Sequence, residues 1–520
     1  MRKIFPALFL LCSLFSLAPE VPAGDLPAQA GKARAALVFS KRCMDAWLAL
    51  ADPGTGLLPQ HVRGPGLWTP ENSAADLYPF LVLASRFLDR PLFETRMRKI
   101  LEAEILYTDR VDRLPDAWSF LKRGFLRPEP DMGRIIFGAS EYVKDGLLPV
   151  MDVLGRGPWF ERARGLVEDI MKHAPVKTRF GPIPAEGAEV DGEMLQSLSR
   201  LYCATGDRRY RDWACGIADA WFFEVLPANN GLPVHSWEFE KHRPIRDVLS
   251  LNDHGNEIVG GLAELYTVLS RKDPARAARY EKPFRRMLKE LLSWCRNEDG
   301  LWYSLVRPRD RKVLRKGTPD TWGYALTAVY MGWLTLRDQA CRKAVRKALS
   351  SLPKPAYARW NGADSYADSI EGALLLLKWE PDPGAASWVD RTMERLLALQ
   401  RPDGIVEGWY GDGNSIRTAL MYALWKSRGT WAEPWREDLG LAAEETPGGG
   451  LRIYLETRKP WKGVLHFDFP RHVENLGLPL DYPRLNQYPE FFTVKLAGRY
   501  LVKGPGGKRA AAGALLRRGL

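Results

Sequence analysis

The sequence predicts a mainly α protein, a closed ring of helical hairpins of the (α/α)6 or (α/α)7 toroid type, followed by a small β-rich C-terminal region. Three observations carry that expectation. Amphipathic and nearly all-apolar helical stretches alternate along residues 24–430, loops with Asp or Asn, Gly and an aromatic separate them, and polar clusters recur where the apolar stretches begin. A stretch that is apolar on nearly every side has to be enclosed by other helices, so the apolar set forms the inside and the charged set the outside. A HEAT-like solenoid would use the same hairpins but would spread the polar helix starts along one edge, whereas a ring gathers them.

Taken in order, the chain opens with Arg2 and Lys3, an apolar run from Ile4 to Leu17, and Val21, Pro22 and Ala23 ahead of Gly24. That is the pattern of a secretory signal peptide, 1–23, so a secreted or periplasmic protein is expected. Leu11, before Cys12, is not the small residue a lipid-attachment site needs, and no later segment offers about 18 uninterrupted apolar residues, so no membrane attachment is expected after cleavage. Lys and Arg number 75 against 63 Asp and Glu, a net charge of +12. The surplus is spread rather than clustered and no nucleic-acid motif is present, so an anionic polysaccharide or oligosaccharide is expected as partner and nucleic acid is not. Cys43, Cys203, Cys215, Cys295 and Cys341 are odd in number and widely spaced, which predicts buried free thiols, with neither a disulfide framework nor a zinc site.

Outer helices are visible over Ala35 to Leu50, Pro274 to Cys295 and Trp388 to Gln400. Turn loops follow at Asp52 to Leu58, Asn229 to Pro233, Asp299 to Tyr303 and Asp403 to Tyr410. The apolar helices open near Trp68 to Asp76, Asp131 to Arg134, Glu189 to Glu193, Asn252 to Glu257, Asp320 to Tyr324, Asn361 to Asp368 and Asp412 to Arg417, at intervals of about 45–65 residues. Seven such starts leave both six and seven hairpins open. Beyond residue 430, Gly448 to Glu456, Trp461 to Phe467 and Glu490 to Leu496 alternate apolar with polar as strands do, giving a β-rich region at 431–503. A proline-rich segment with Phe469 to His472 and Tyr482 to Pro489 packs back on the ring, and 504–520 reads as a disordered basic tail.

The repeated hairpins and polar starts resemble the six-hairpin glycosidase-like superfamily and its seven-hairpin relatives, which include glycoside hydrolases, polysaccharide lyases and sugar epimerases. The resemblance covers residues 31–430 and implies a substrate cleft at the end of the ring where the inner helices begin. Terpene cyclases share the ring, and Gln400 to Gly404 with Trp409 to Gly411 is faintly similar to their repeats. Those repeats occur nowhere else here, and no DxDD cluster is present.

Hydrolysis of a glycosidic bond needs one carboxylic acid to protonate the leaving oxygen and one carboxylate to activate water or attack carbon. Asp76, Glu193, Asp253, Glu257, Asp320, Asp364, Asp368 and Asp412 are the carboxylates at the cleft end, although helix capping is an alternative role for most of them. The expected catalytic pair is Asp253 or Glu257 with Asp364 or Asp368, and Glu371 lies on the same helical face as that second pair. Elimination on a polyuronate would instead use His254 with Tyr324 or Tyr303, beside Asn252 and Asn256. A non-catalytic glycan-binding protein and a sugar epimerase are further alternatives. Arg134 and Arg417, in first turns of inner helices, would bind a uronate or sulfate or pair with nearby carboxylates, and Arg243 and Arg246 precede Asn252. Trp68, Trp322, Trp360 and Trp409, with Asn72, are the expected sugar contacts, since indole stacks on the C–H faces of sugar rings. No metal or cofactor is expected, because no ligand spacing supports one.

Overall fold

A computed structural model describes residues 8–11, 25–64, 66–504 and 507–520; for 8–11, Asp253 and His254 it describes the backbone alone. The expected signal peptide therefore lies almost wholly outside the described residues. Fourteen helical stretches alternate between an outer and an inner position. The outer ones are α1 (Leu26–Ala49), α3 (90–108), α5 (Pro158–Lys172), α7 (208–228), α9 (Pro274–Trp294), α11 (Gln339–Ser351) and α13 (Pro383–Ala398). The inner ones are α2 (70–88), α4 (132–154), α6 (Ala188–Thr205), α8 (Asp253–Lys272), α10 (Tyr324–Leu336), α12 (Gly362–Leu377) and α14 (Asp412–Lys426). Each inner helix packs on the next, and α14 closes the ring against α2 while α1 covers the seam. Among the described residues the protein is thus an (α/α)7 toroid, and all seven inner helices begin within a few residues of the polar clusters that announced them.

The two ends of the ring are built differently. Connections from an inner to the next outer helix are short, and six of the seven outer helices start with an Asp side chain accepting a backbone N–H: Asp25, Asp89, Asp207, Asp273, Asp338 and Asp382. Connections from an outer to an inner helix are longer, and five of the seven carry small strands, such as Ser236–Glu238 with Arg243–Arg246 and Leu305–Arg307 with Lys312–Arg315. Only one inner helix, α4 with Asp131, is capped by its N-cap side chain; the others begin at Thr69, Gly187, Asn252, Gly323, Asn361 and Gly411 without such a bond. Capping, offered by the sequence as a role for the cleft-end carboxylates, therefore explains few of them.

Two inner helices contain prolines that set their shape. Pro79 and Pro149 have no N–H, and each ring would press on the carbonyl four residues earlier. The helix widens just before each one, into π-helical turns at Pro70–Leu77 and Tyr142–Leu147, and these two turns lie side by side.

The C-terminal strands are Thr430–Glu433, Gly440–Glu445, Leu451–Glu456, Val464–Phe467, Arg499–Gly504 and Gly507–Ala512. Leu8–Leu11 joins the sheet between Leu451–Glu456 and Arg499–Gly504. Two expectations are corrected here. Glu490 to Leu496 is not a strand, and the supposed tail forms a strand paired with Arg499–Gly504, then a short helix, Gly513–Leu516. Its run of Lys, Arg and Ala lacks the apolar alternation that marks a strand, and cross-strand pairing supplies what composition does not. The five described cysteines are buried and free. Among the described residues no helix is long and apolar enough to cross a membrane.

The α6–α8 contact is a close one: a Cβ added at Gly192 would lie 2.1 Å from the Glu257 carbonyl carbon, and one at Gly261 would lie 2.4 Å from the Gly192 oxygen. Backbone stands on both sides, so no side chain can move away. Gly192→Ala is expected to destabilise the protein by about 1–3 kcal/mol, read as a lower denaturation midpoint with an unchanged slope.

Candidate active site

Six of the seven inner helices place a charged side chain near the ring axis, and the seventh contributes a tyrosine. Lys144, in the π turn of α4, donates from Nζ to Asp145 Oδ1 at 2.7 Å and to Glu257 Oε1 of α8 at 2.7 Å. Gln196 Nε2 of α6 donates to the other Glu257 oxygen at 2.7 Å. On the opposite arm, Arg417 of α14 is 2 % exposed; it donates to Asp368 Oδ1 at 2.7 Å and meets Glu371 Oε2 at 2.9 Å, both on α12. Tyr324 of α10 donates to that same Glu371 oxygen at 3.1 Å. Asn414 donates to Asp364 Oδ1 at 3.0 Å. The two arms meet at Asn486, from the proline-rich segment, whose amide donates to Asp145 and whose backbone N–H donates to Glu371 Oε1 at 2.6 Å.

Opposite electrostatic outcomes result for neighbouring carboxyls. Burial raises Asp76, on the π turn of α2, well above the ordinary Asp range, and the nearby charges of Asp145 and Asp364 raise it further. Burial also pushes Asp145 upward, but the Lys144 ammonium, a hydrogen bond from Glu141 and the Arg417 guanidinium outweigh it and leave Asp145 below its ordinary value. Glu257 rises to about 7 through burial, with Lys144 holding it down and Asp145 pushing it up. Burial raises Glu141 and Glu193, the nearby charge of Glu193 raises Glu141 further, and those of Glu189, Asp145 and Glu257 raise Glu193 against a hydrogen bond from Glu141 that lowers it. The carboxylates of Glu141, Asp145 and Glu193 lie within 4.8 Å of one another, close enough to ligate a cation, but Lys144 already supplies positive charge there. Glu193, which is 1 % exposed, shares a hydrogen bond with Glu141, and neither amide atom of Asn256 has a hydrogen-bond partner.

The remaining expected residues divide clearly. Asp76 and Asp364 lie in the site and are partly exposed. The side chains of Asp253 and His254 fall outside the described residues. Asp368 is committed to Arg417, so its place in the expected pair is corrected: it supports a cation rather than facing substrate. Arg417 likewise pairs internally. Arg134 is exposed rather than buried and meets Glu71 at 3.6 Å, at the edge of a cavity of about 200 Å³ that also holds Asn72, Gln60 and Asp116. Trp68 and Trp322 are corrected from sugar contacts to core, each fully enclosed, with Trp322 Nε1 donating to Ser369 at 2.8 Å. Asp412 is buried and accepts from Trp47 and from the backbone of Val406, Glu407 and Gly408, so it shapes a loop. Trp360 and Trp409 are partly exposed on mouth loops, and Trp409 stands edge-on to Tyr410 at 4.7 Å between ring centres. Asp320 accepts from the Thr321 N–H, and the Asn252 side-chain oxygen is buried without a donor. Arg243 and Arg246 are exposed on a mouth strand.

Sequence reasoning missed Glu141, Lys144, Asp145, Gln196 and Asn486. For the first three a signal was present: charges inside an apolar helical run, four and five residues ahead of Pro149 for Asp145 and Lys144. For Asn486 there was none, since it lies 69 residues from Arg417 in sequence.

The fold and site define the protein as an (α/α) toroid with a carboxylate-lined mouth. No protein-family model and no curated protein sequence matches the chain. Among solved structures it is similar to the unsaturated glucuronyl hydrolase of Bacillus sp. GL1, at 15% identity and TM-score 0.39 over 56% of this chain and 86% of that one. It is also similar to cellobiose 2-epimerase from Bacillus thermoamylovorans B4167 (12%, TM-score 0.43, 63% and 87%) and to the GH76A α-1,6-mannanase of Salegentibacter sp. HEL1_6 (10%, TM-score 0.42, 75% and 98%).

Lys144→Met would leave Asp145 and Glu257 facing each other without their shared cation. At pH 8 a loss of about 3 kcal/mol is expected. The pKa of Glu257, already raised to about 7, then rises further above its unfolded value, so the folded variant binds more protons and gains relative to wild type as pH falls toward 5. Chemical denaturation at the two pH values reads this difference; an equal loss at both would refute the pairing.

Proposed function

We propose that the protein is a carbohydrate-active enzyme that hydrolyses glycosidic bonds, with Asp76 as general acid and Asp145 as the ionised base or nucleophile. One observation carries this reading: two interacting carboxyls stand on adjoining π turns of neighbouring inner helices, and their surroundings shift them in opposite directions, Asp76 upward and Asp145 downward. A neutral acid beside an ionised carboxylate is what glycosidic cleavage needs, one to protonate the leaving oxygen and one to act on water or carbon. Trp360, Trp409 and Tyr410 supply aromatic edges and faces for sugar rings at the mouth.

The substrate in this reading is an anionic glycan. Its support is the exposed cations of the mouth strands, Arg243, Arg246, Lys312 and Arg315, set above an acidic floor. Charge at the rim would hold the chain, while the scissile linkage enters the carboxylate cluster. The apolar leader supports an exported enzyme acting on such material. Elimination through Tyr324 is the weaker alternative, since that hydroxyl is buried against Glu371.

Asp76→Asn and Asp145→Asn are each expected to lower kcat/KM on the cleaved oligosaccharide about a thousandfold while the protein stays folded. In the wild type the acid limb of the rate profile belongs to Asp145 and the alkaline limb to Asp76. The assay is release of reducing ends from a panel of neutral and uronate-bearing glycans. Growth of the ultraviolet absorbance of an unsaturated uronate would overturn hydrolysis in favour of elimination.

A second expectation concerns the rim. Arg243→Ala with Arg315→Ala should raise KM for a charged polymer and flatten its dependence on salt, with kcat kept. An unchanged salt dependence would remove the rim from substrate binding.

A further inference from the structure

We infer that Asn486, carried on the C-terminal segment that plugs the far end of the ring, is a positioning residue that keeps Asp145 ionised; the inference rests on the acid–base reading above. The segment is fastened to the ends of the inner helices remote from the mouth. Tyr482 donates to Glu264 of α8 at 2.9 Å, Lys378 at the end of α12 pairs with Asp481, and Arg471 pairs with Asp152 of α4 while donating to the Tyr488 carbonyl at 2.7 Å. From those anchors the chain climbs the axis, and Asn486 stands at its tip with φ of 59°, a left-handed conformation that Asn adopts more readily than most residues.

The orientation of its amide is dictated by its neighbours. Arg417 has donors only, and its Nη1 lies 2.5 Å from the Asn486 side-chain oxygen. The NH2 group is therefore turned to the other side, where it meets Asp145 Oδ1. A carboxylate accepts that hydrogen bond best when ionised, so the plug favours the charged form of the group assigned as base. The backbone N–H, held on Glu371, prevents the tip from withdrawing. Asn486 is 3 % exposed and buried on the floor of the site, so it acts on Asp145 and not on substrate.

The test is a four-protein cycle: wild type, Asn486→Asp, Asp145→Asn, and both together. Asn486→Asp keeps the shape and the contact with Arg417 but puts an oxygen against Asp145. It should lower Tm and move the acid limb of kcat/KM upward by about one pH unit or more. Lys144 and Asn486 donate to the same Asp145 oxygen, and in the double variant the repulsion between carboxylates at 145 and 486 is gone, so its Tm loss should be clearly smaller than the sum of the single changes, while cleavage stays absent because the carboxylate at 145 is gone. Additive Tm changes, or an acid limb unmoved in folded Asn486→Asp, would overturn the inference. Should Asp145→Asn alone retain cleavage, the acid–base reading fails, and the Tm cycle then decides the Asn486 contact by itself.

Discussion

Charge buried on the axis of a helical ring is the constraint around which this molecule is arranged. Glu141, Asp145, Glu193, Glu257, Asp368 and Glu371 all lie among packed helices, where an isolated carboxylate is several kcal/mol worse off than in water. Two cations answer them. Lys144 ties α4 to α8, and Arg417 ties α14 to α12. Neither cation can neutralise all its neighbours, and Asp76, Glu141 and Glu193 are raised first by burial and then by the charges of neighbouring carboxylates. Neighbouring carboxyls are thus shifted in opposite directions, Asp76 upward and Asp145 downward.

Backbone geometry decides which carboxyls meet. Had α2 and α4 continued as regular α-helices, residues 76 and 145 would be rotated relative to their present directions. The π turns add a residue per turn just where Pro79 and Pro149 forbid the regular bond, and these turns adjoin. Gly146 allows the approach, since a Cβ there would lie 2.5 Å from the Pro79 ring. A single kind of residue, proline inside an apolar helix, therefore links sequence to site geometry at two positions.

Much of the ring was legible in the sequence. Apolar periodicity located the seven inner helices to within a few residues, because an enclosed helix leaves a composition that loops and outer helices do not share. The site was legible only where its residues stand at helix starts, as Asp76, Glu257 and Asp364 do. Lys144 and Asp145 lie a few turns inside α4, where a charge pattern says nothing of the partner across the axis. Trp68 and Trp322 look like Trp360 and Trp409 in sequence; burial alone separates core from mouth. The strand at Gly507–Ala512 was hidden for a related reason, since its pairing partner rather than its own composition makes it a strand.

The asymmetry of capping gives the last link between architecture and chemistry. Aspartates satisfy the N–H groups of the outer helices at one end of the ring, while at the other end six inner helices start with no side-chain acceptor from the N-cap. Their first-turn N–H groups and the positive ends of their dipoles are gathered around the mouth, which favours negative charge there. That field lowers the cost of the carboxylates just inside the helix starts, and it also favours anionic groups arriving from outside. Uncapped helix starts and exposed arginines above a carboxylate floor fit the proposed reading at each depth, an acidic polymer held at the rim and an acid–base pair below it. Asn486, entering from the opposite end, adds its own contact with Asp145 to that arrangement.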